Sequence, residues 1–107
     1  MGNQCTAKKK YIYCSFSDLN DEDMHQISQQ VLKQYLNSQE LQLKLSINKF
    51  GNPGLISLGE AVSQCVNLKE LNLDLGANKY DQNGVKLFCE YLIKCKNLTS
   101  LTLSFRF

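Results

Sequence analysis

The N-terminus of the 107-residue chain carries the residues whose types and spacing could do chemistry. Met1-Gly2-Asn3-Gln4-Cys5-Thr6 fits the acylation pattern M-G-x-x-x-[S/T], in which removal of Met1 leaves the Gly2 amine as the acceptor of a myristoyl chain. One such chain holds a membrane only marginally, with K about 10⁴ M⁻¹, so stable anchoring needs a second signal. Cys5 is placed to take a palmitoyl group. Lys8, Lys9 and Lys10 would add about 1 kcal/mol each against an anionic leaflet.

The remaining reactive side chains do not assemble into a site. The five cysteines, at 5, 14, 65, 89 and 95, include no C-x-x-C pair, and His25 is the single histidine, so four close nitrogen and sulfur ligands for zinc are lacking. The acidic run from Asp18 to Asp23 fails as a calcium loop: its sixth residue is Asp23 rather than glycine and its twelfth is Gln29 rather than glutamate. It suits the N-terminus of a helix, where carboxylates meet the helix dipole. No glycine-rich phosphate loop is present. The expectation is therefore no enzyme, no metal, no cofactor and no small-molecule substrate.

Length and composition set the elements that must carry these residues. A chain of 107 residues builds one small domain, and 43% hydrophobic with 21% charged residues is the balance of a folded protein. The formal charge of +2 gives no argument for nucleic acid. That total conceals an uneven distribution, with three lysines in residues 1–10 followed by Asp18, Asp21, Glu22 and Asp23. There is no apolar leader and no run of about 18 apolar residues, so the thiols read as reduced and the location as cytoplasmic, peripheral on the cytoplasmic face of a membrane if acylated.

Leucine occurs 17 times, and the leucines are periodic. Laid over 71–100, residues 41–70 match at ten positions without a gap, from Leu41/Leu71, Leu43/Leu73 and Leu45/Leu75 through Asn48/Asn78 and Gly54/Gly84 to Cys65/Cys95 and Leu68/Leu98. A third copy begins at Leu101 and Leu103. Each copy joins two periodicities: Leu71, Leu73 and Leu75 alternate with polar residues as in a strand with one buried face, while Val85, Phe88, Leu92 and Cys95 recur at helical spacing. Asp81 is expected to cap the second of these helices, and Asn52 with Pro53 to supply N-cap and N1 of the first. Cys65 and Cys95 are read as small buried hydrophobes. A weaker unit precedes them, with Ile12, Cys14, Ser17 and Leu19 on the core positions, Asp21 near the cap, and Met24, Ile27 and Val31 on the helix face.

The segments Leu43-x-Leu45-x-x-Asn48-x-Phe50 and Leu73-x-Leu75-x-x-Asn78-x-Tyr80 resemble the core of leucine-rich repeats, specifically the long-repeat, ribonuclease-inhibitor-like class. The resemblance implies an α/β fold: a right-handed βα solenoid forming a short arc, its parallel sheet on the concave face and its helices on the convex face. It also implies that Asn48 and Asn78 form a ladder of amides holding the backbone at each bend, and that Gly54 and Gly84 let each helix start close to the sheet. The expected layout is a tail over 1–10 and a repeat domain over 11–107, in units of about 11–42, 43–72 and 73–102 with a partial unit at 103–107.

Alternation places Tyr11, Gln42, Asn72 and Thr102 in one outward column and Tyr13, Lys44, Asp74 and Ser104 in the next. Ser15, Ser46, Gly76 and Arg106 form a third. Similar proteins bind other proteins on this surface. Lys44 and Asp74 could instead merely pair with each other, for at most about 1 kcal/mol. The last strand sets Leu101, Leu103, Phe105 and Phe107 in an apolar stripe with no following helix, a second place for a partner chain. The expected function is a protein–protein interaction module, an adaptor or assembly subunit, tethered to a membrane through its acylated N-terminus. Two alternatives stand beside it: the front of a longer, unanchored repeat scaffold, and a regulatory protein that binds and controls an enzyme.

Overall fold

The three Leu-x-Leu segments become strands of equal length and equal placement. A computed structural model describes residues 6–8, 11–13 and 17–106. In chain order it contains β1 (Thr6–Lys8), β2 (Tyr11–Tyr13), α1 (Asp21–Tyr35), β3 (Glu40–Lys44), α2 (Asn52–Ser63), β4 (Glu70–Asp74), α3 (Gln82–Leu92) and β5 (Ser100–Ser104). The fold is α/β. The sheet order is the chain order, β1 antiparallel to β2 and every other neighbouring pair parallel. The sheet thus reaches into the segment expected as a tail, since β1 pairs Thr6 with Tyr13 and Lys8 with Tyr11. Gly2, Cys5, Lys9, Lys10, Ser15 and Phe107 lie outside the described residues.

The thirty-residue period is the sheet register itself. Leu41 pairs with Leu71 and Leu71 with Leu101, and the weak first unit joins in step, Ile12 against Leu43. The leucine side of the strands closes on the helices in a single core with Met24, Val31, Leu55, Leu58, Val62 and Phe88. Leu43, Leu45, Leu73 and Leu75 are each 0% exposed, and burial on that scale contributes about 1.5–3 kcal/mol per side chain. Cys65 and Cys95 lie in the same core.

Beyond each strand the parallel ladder continues, Leu45 N donating to Asp74 O and Ile47 N to Gly76 O, until the chain bends at Ile47 and Ala77, both left-handed at φ 57°. A β-branched residue is strained there, so something must hold the bend. Asn48 does. Its Nδ2 donates to Leu45 O at 2.9 Å and Ser46 O at 3.2 Å, while its Oδ1 accepts from Ser17 N and Leu19 N of the preceding unit. Asn78 repeats the donor half, to Leu75 O, Gly76 O and, across to the preceding unit, Leu45 O.

The helix starts differ from the expected assignment. Asn20 caps α1, in a capping box with Asp23, and Asp21, expected near the cap, is the first helical residue. Asp21 Oδ1 instead accepts from Gly51 N and Gly54 N, both at 2.8 Å, so this carboxylate caps the following helix. Gly51, with no side chain to offer, is therefore the N-cap of α2, and Asn52 and Pro53 are its first helical residues. Asp81 caps α3 as expected, and Asn52 reaches across to it with paired bonds, Nδ2 to Asp81 Oδ1 and Asp81 N to Oδ1. These bonds hold the Asp81 carboxyl below its ordinary range, the Asn52 amide contributing most. Gly54 and Gly84 serve this contact between helix starts: a Cβ at Gly54 would meet Asp21 and Met24, and one at Gly84 would meet Asn52. Their close approach is to the preceding helix, or in Gly84's case to its first residue, and not to the sheet.

Candidate functional site

Parallel pairing in register turns single polar residues into columns on the sheet face turned away from the helices. Gln42, Asn72 and Thr102 form one column and Lys44, Asp74 and Ser104 the next; the backbone of Tyr11 and of Tyr13 continues each onto β2. Gln42, Lys44, Asn72, Asp74 and Ser104 are half-buried and Thr102 is exposed. Lys44 and Asp74 are register partners, yet no ion pair within 4.0 Å joins them; the exposed bridge Lys49–Asp18, at 3.4 Å, lies elsewhere. Asp74 Oδ1 accepts instead from Gly76 N, at 3.4 Å.

The third column is largely closed. Ser46, expected on the open face, is only 8% exposed, because it sits at the bend where Asn48 folds back onto its carbonyl. Arg106 lies across Gly76, whose missing Cβ leaves the room: a Cβ there would stand 2.9 Å from Arg106 Nε. Arg106 itself stays exposed. At the other end of the strands Glu40 and Glu70, adjacent in register, border a shallow depression of about 140 Å³ with Gln42, Asn72 and Thr102. That is below the roughly 300 Å³ of a usual small-molecule pocket.

A larger groove, about 400 Å³, crosses the helix side, with Ser28, Ser57 and Ala61 among its walls and His25, Glu60 and Lys94 around it. The repeat alignment carried its signal unread: Ser57 and Ala61 stand where α3 has Leu87 and Tyr91. Tyr91 donates to Glu60 Oε2 at 3.2 Å, and Lys94 Nζ lies 5.2 Å from the Tyr91 ring centre. Ser28 Oγ, on its wall, donates to Met24 O at 2.8 Å. Among the described residues no three His, Cys, Asp or Glu side chains gather to hold a metal, and no helix is long and apolar enough to cross a membrane.

The titratable groups most displaced from their ordinary behaviour lie in the core. Burial, with neighbouring Cys95 adding to it, pushes the Cys65 thiol from 9.0 to about 11, and burial pushes the Tyr80 phenol from 10.0 to about 12. Tyr80 also donates to Leu75 O at 2.6 Å. A group whose folded pKa is raised contributes stability that is full below its unfolded value and lost as pH climbs through the folded one. The urea midpoint should thus stay level to about pH 9 and fall between about pH 9 and 12, with Cys65→Ala reducing the first part of the fall, to which the buried Cys95 thiol, also raised by burial, still contributes. A level midpoint to the top of that window would contradict the burial of both groups.

No family model matches the chain, and no curated protein or solved structure matches it.

Proposed function

We propose that the chain is a short solenoid of the leucine-rich-repeat kind, ribonuclease-inhibitor-like, that binds another protein through the open strand face. The observation that carries this reading is the pair of in-register columns, in which Lys44 and Asp74, with no ion pair to each other, stand beside the neutral hydrogen-bonding groups of Gln42, Asn72 and Thr102. Two further points support the repeat class: one strand and one helix recur every thirty residues, and Asn48 and Asn78 bond the backbone at equivalent bends. Crossovers between parallel strands are right-handed in about 98% of cases, which gives the solenoid its hand. A face of three five-residue strands suits a contact near the lower end of the usual size, on the order of 600 Å² per partner.

The test sets Asn72→Arg and Thr102→Arg on the face against Lys33→Glu in the exposed last turn of α1. Captured from lysate of the cells that encode the chain, a true partner should be retained by the wild type and Lys33→Glu, and lost with either arginine. Binding with the purified partner should weaken at least about tenfold. If every captured protein ignores both arginines, the open face is not the binding surface.

The tether belongs to the same proposal, with Gly2 and Cys5 as the acylated residues and the lysines at 8–10 as electrostatic support. Alkyne-myristate should label the wild type and not Gly2→Ala, and Cys5→Ser should make membrane attachment reversible. An unlabelled wild type ends the anchor and leaves the binding face standing.

A further inference from the structure

The thirty-residue equivalence allows each side chain to be compared with its counterpart one unit earlier, and the β5–α3 side of the molecule stands out. Leu71 is 2% exposed where β5 covers it, but Leu101, in the same column, is 46% exposed. Leu103 and Phe105 are half-buried where Leu73 and Leu75 are fully buried, and Val85 is half-buried where Leu55 is fully buried. Ile93, at the end of α3, is 74% exposed. This face therefore repeats an internal one without its cover among the described residues.

The two edges of the sheet are guarded differently. β1 includes Lys8 and is followed in sequence by two more lysines, the usual protection of an edge against further pairing. β5 and Phe105 read Ser-Leu-Thr-Leu-Ser-Phe, with no charge and no proline. The rim beside β5 is not charge-free, and its charges indicate the occupant. On α2, Glu60 accepts a bond from Tyr91 of α3 and Ile56 is half-buried, so both positions lie on the side a following helix covers. Their counterparts on α3 are Glu90 and Lys86, both exposed, of opposite sign and four residues apart.

We propose that this face binds a second copy of the chain across a twofold axis normal to the sheet. The axis pairs the two β5 strands antiparallel, keeps both leucine sides facing the helix layer, and lays one α3 antiparallel to its mate. Antiparallel helices set Lys86 against the mate's Glu90 and Glu90 against the mate's Lys86, so the rim charges complement themselves. A head-to-tail contact would instead need the lysine-bearing β1 edge and would not close. The interface rests on the observed sheet order and not on the open-face reading; either can fail without the other.

Sedimentation equilibrium of the 107-residue protein, at concentrations up to about 100 μM, should give a species of twice 12.2 kDa. Leu101→Lys, at a position already half open in the single chain, should raise the dissociation constant at least about thirtyfold with an unchanged circular dichroism spectrum. Lys86→Glu should weaken the dimer about tenfold, and adding Glu90→Lys should restore it, because the twofold exchanges the two positions. A monomer across that range, open-ended oligomers, or a dimer indifferent to both Leu101→Lys and the charge exchange would overturn the proposal.

Discussion

Asn48→Ala should lower the unfolding free energy by about 3–5 kcal/mol, the largest effect expected of any polar side chain in the molecule. Truncation at the Cβ removes both bonds accepted from the preceding unit, at Ser17 N and Leu19 N, and both bonds donated to its own bend, at Leu45 O and Ser46 O. The site is 8% exposed, so water has little room to replace them. Leu45 O keeps its bond from Asn78 Nδ2, but each other buried backbone group left without a partner costs about 1–3 kcal/mol, and the strained left-handed Ile47 beside them loses its brace. The urea midpoint followed by circular dichroism measures the loss; a change under about 1 kcal/mol would mean the bend is held by something else.

Asn78 provides the internal control. It makes the same two donor bonds to its own bend and one to Leu45 O, but it is half-buried and its Oδ1 has no hydrogen-bond partner among the described residues. Asn78→Ala therefore forfeits only donor contacts and should cost less than Asn48→Ala. Equal losses would show that the donor half does all the holding.

The parts of this architecture legible in the sequence are those that repeat. Leu41, Leu71 and Leu101 foretold the register, and the outward columns followed from the same alternation. Even the degenerate first unit falls in step, the backbone of Ile12 lying beside Leu43. Contacts between units were not legible. Asp21 reads as an N-terminal residue of its own helix, and nothing in its neighbourhood says that it caps a helix starting thirty residues later. Ser46 likewise carries the face pattern, and only the folded bend closes it. The β1 strand, three residues long and polar at both ends, has too short a pattern to be distinguished from a tail.

Gly54→Ala should destabilise by about 2–4 kcal/mol even though alanine favours a helix over glycine by about 1 kcal/mol. The position is in the first turn of α2, where glycine's conformational freedom is not needed; the constraint is space. An added Cβ would lie 2.7 Å from Asp21 Oδ1 and 2.9 Å from Met24 Cβ. Met24 is fully buried and its Cβ cannot rotate away from its own backbone. Asp21 could withdraw, but the same oxygen holds Gly51 N and Gly54 N, and α2 has no side-chain cap of its own, so withdrawal adds the loss of a cap, about 0.5–2 kcal/mol. Gly84→Ala looks worse by distance, since its Cβ would land on the Asn52 amide, yet it should cost less. Asn52 is half-buried and can turn at the loss of its two bonds to Asp81, which keeps its own bonds to Asn83 N and Gly84 N. Combining Gly54→Ala with Asp21→Ala isolates the shared term: the pair should destabilise by at least about 1 kcal/mol less than the sum of the two single changes, since the cap can be lost only once. Simple additivity would mean that the clash falls on Met24 alone and that Asp21 has no part in setting this glycine.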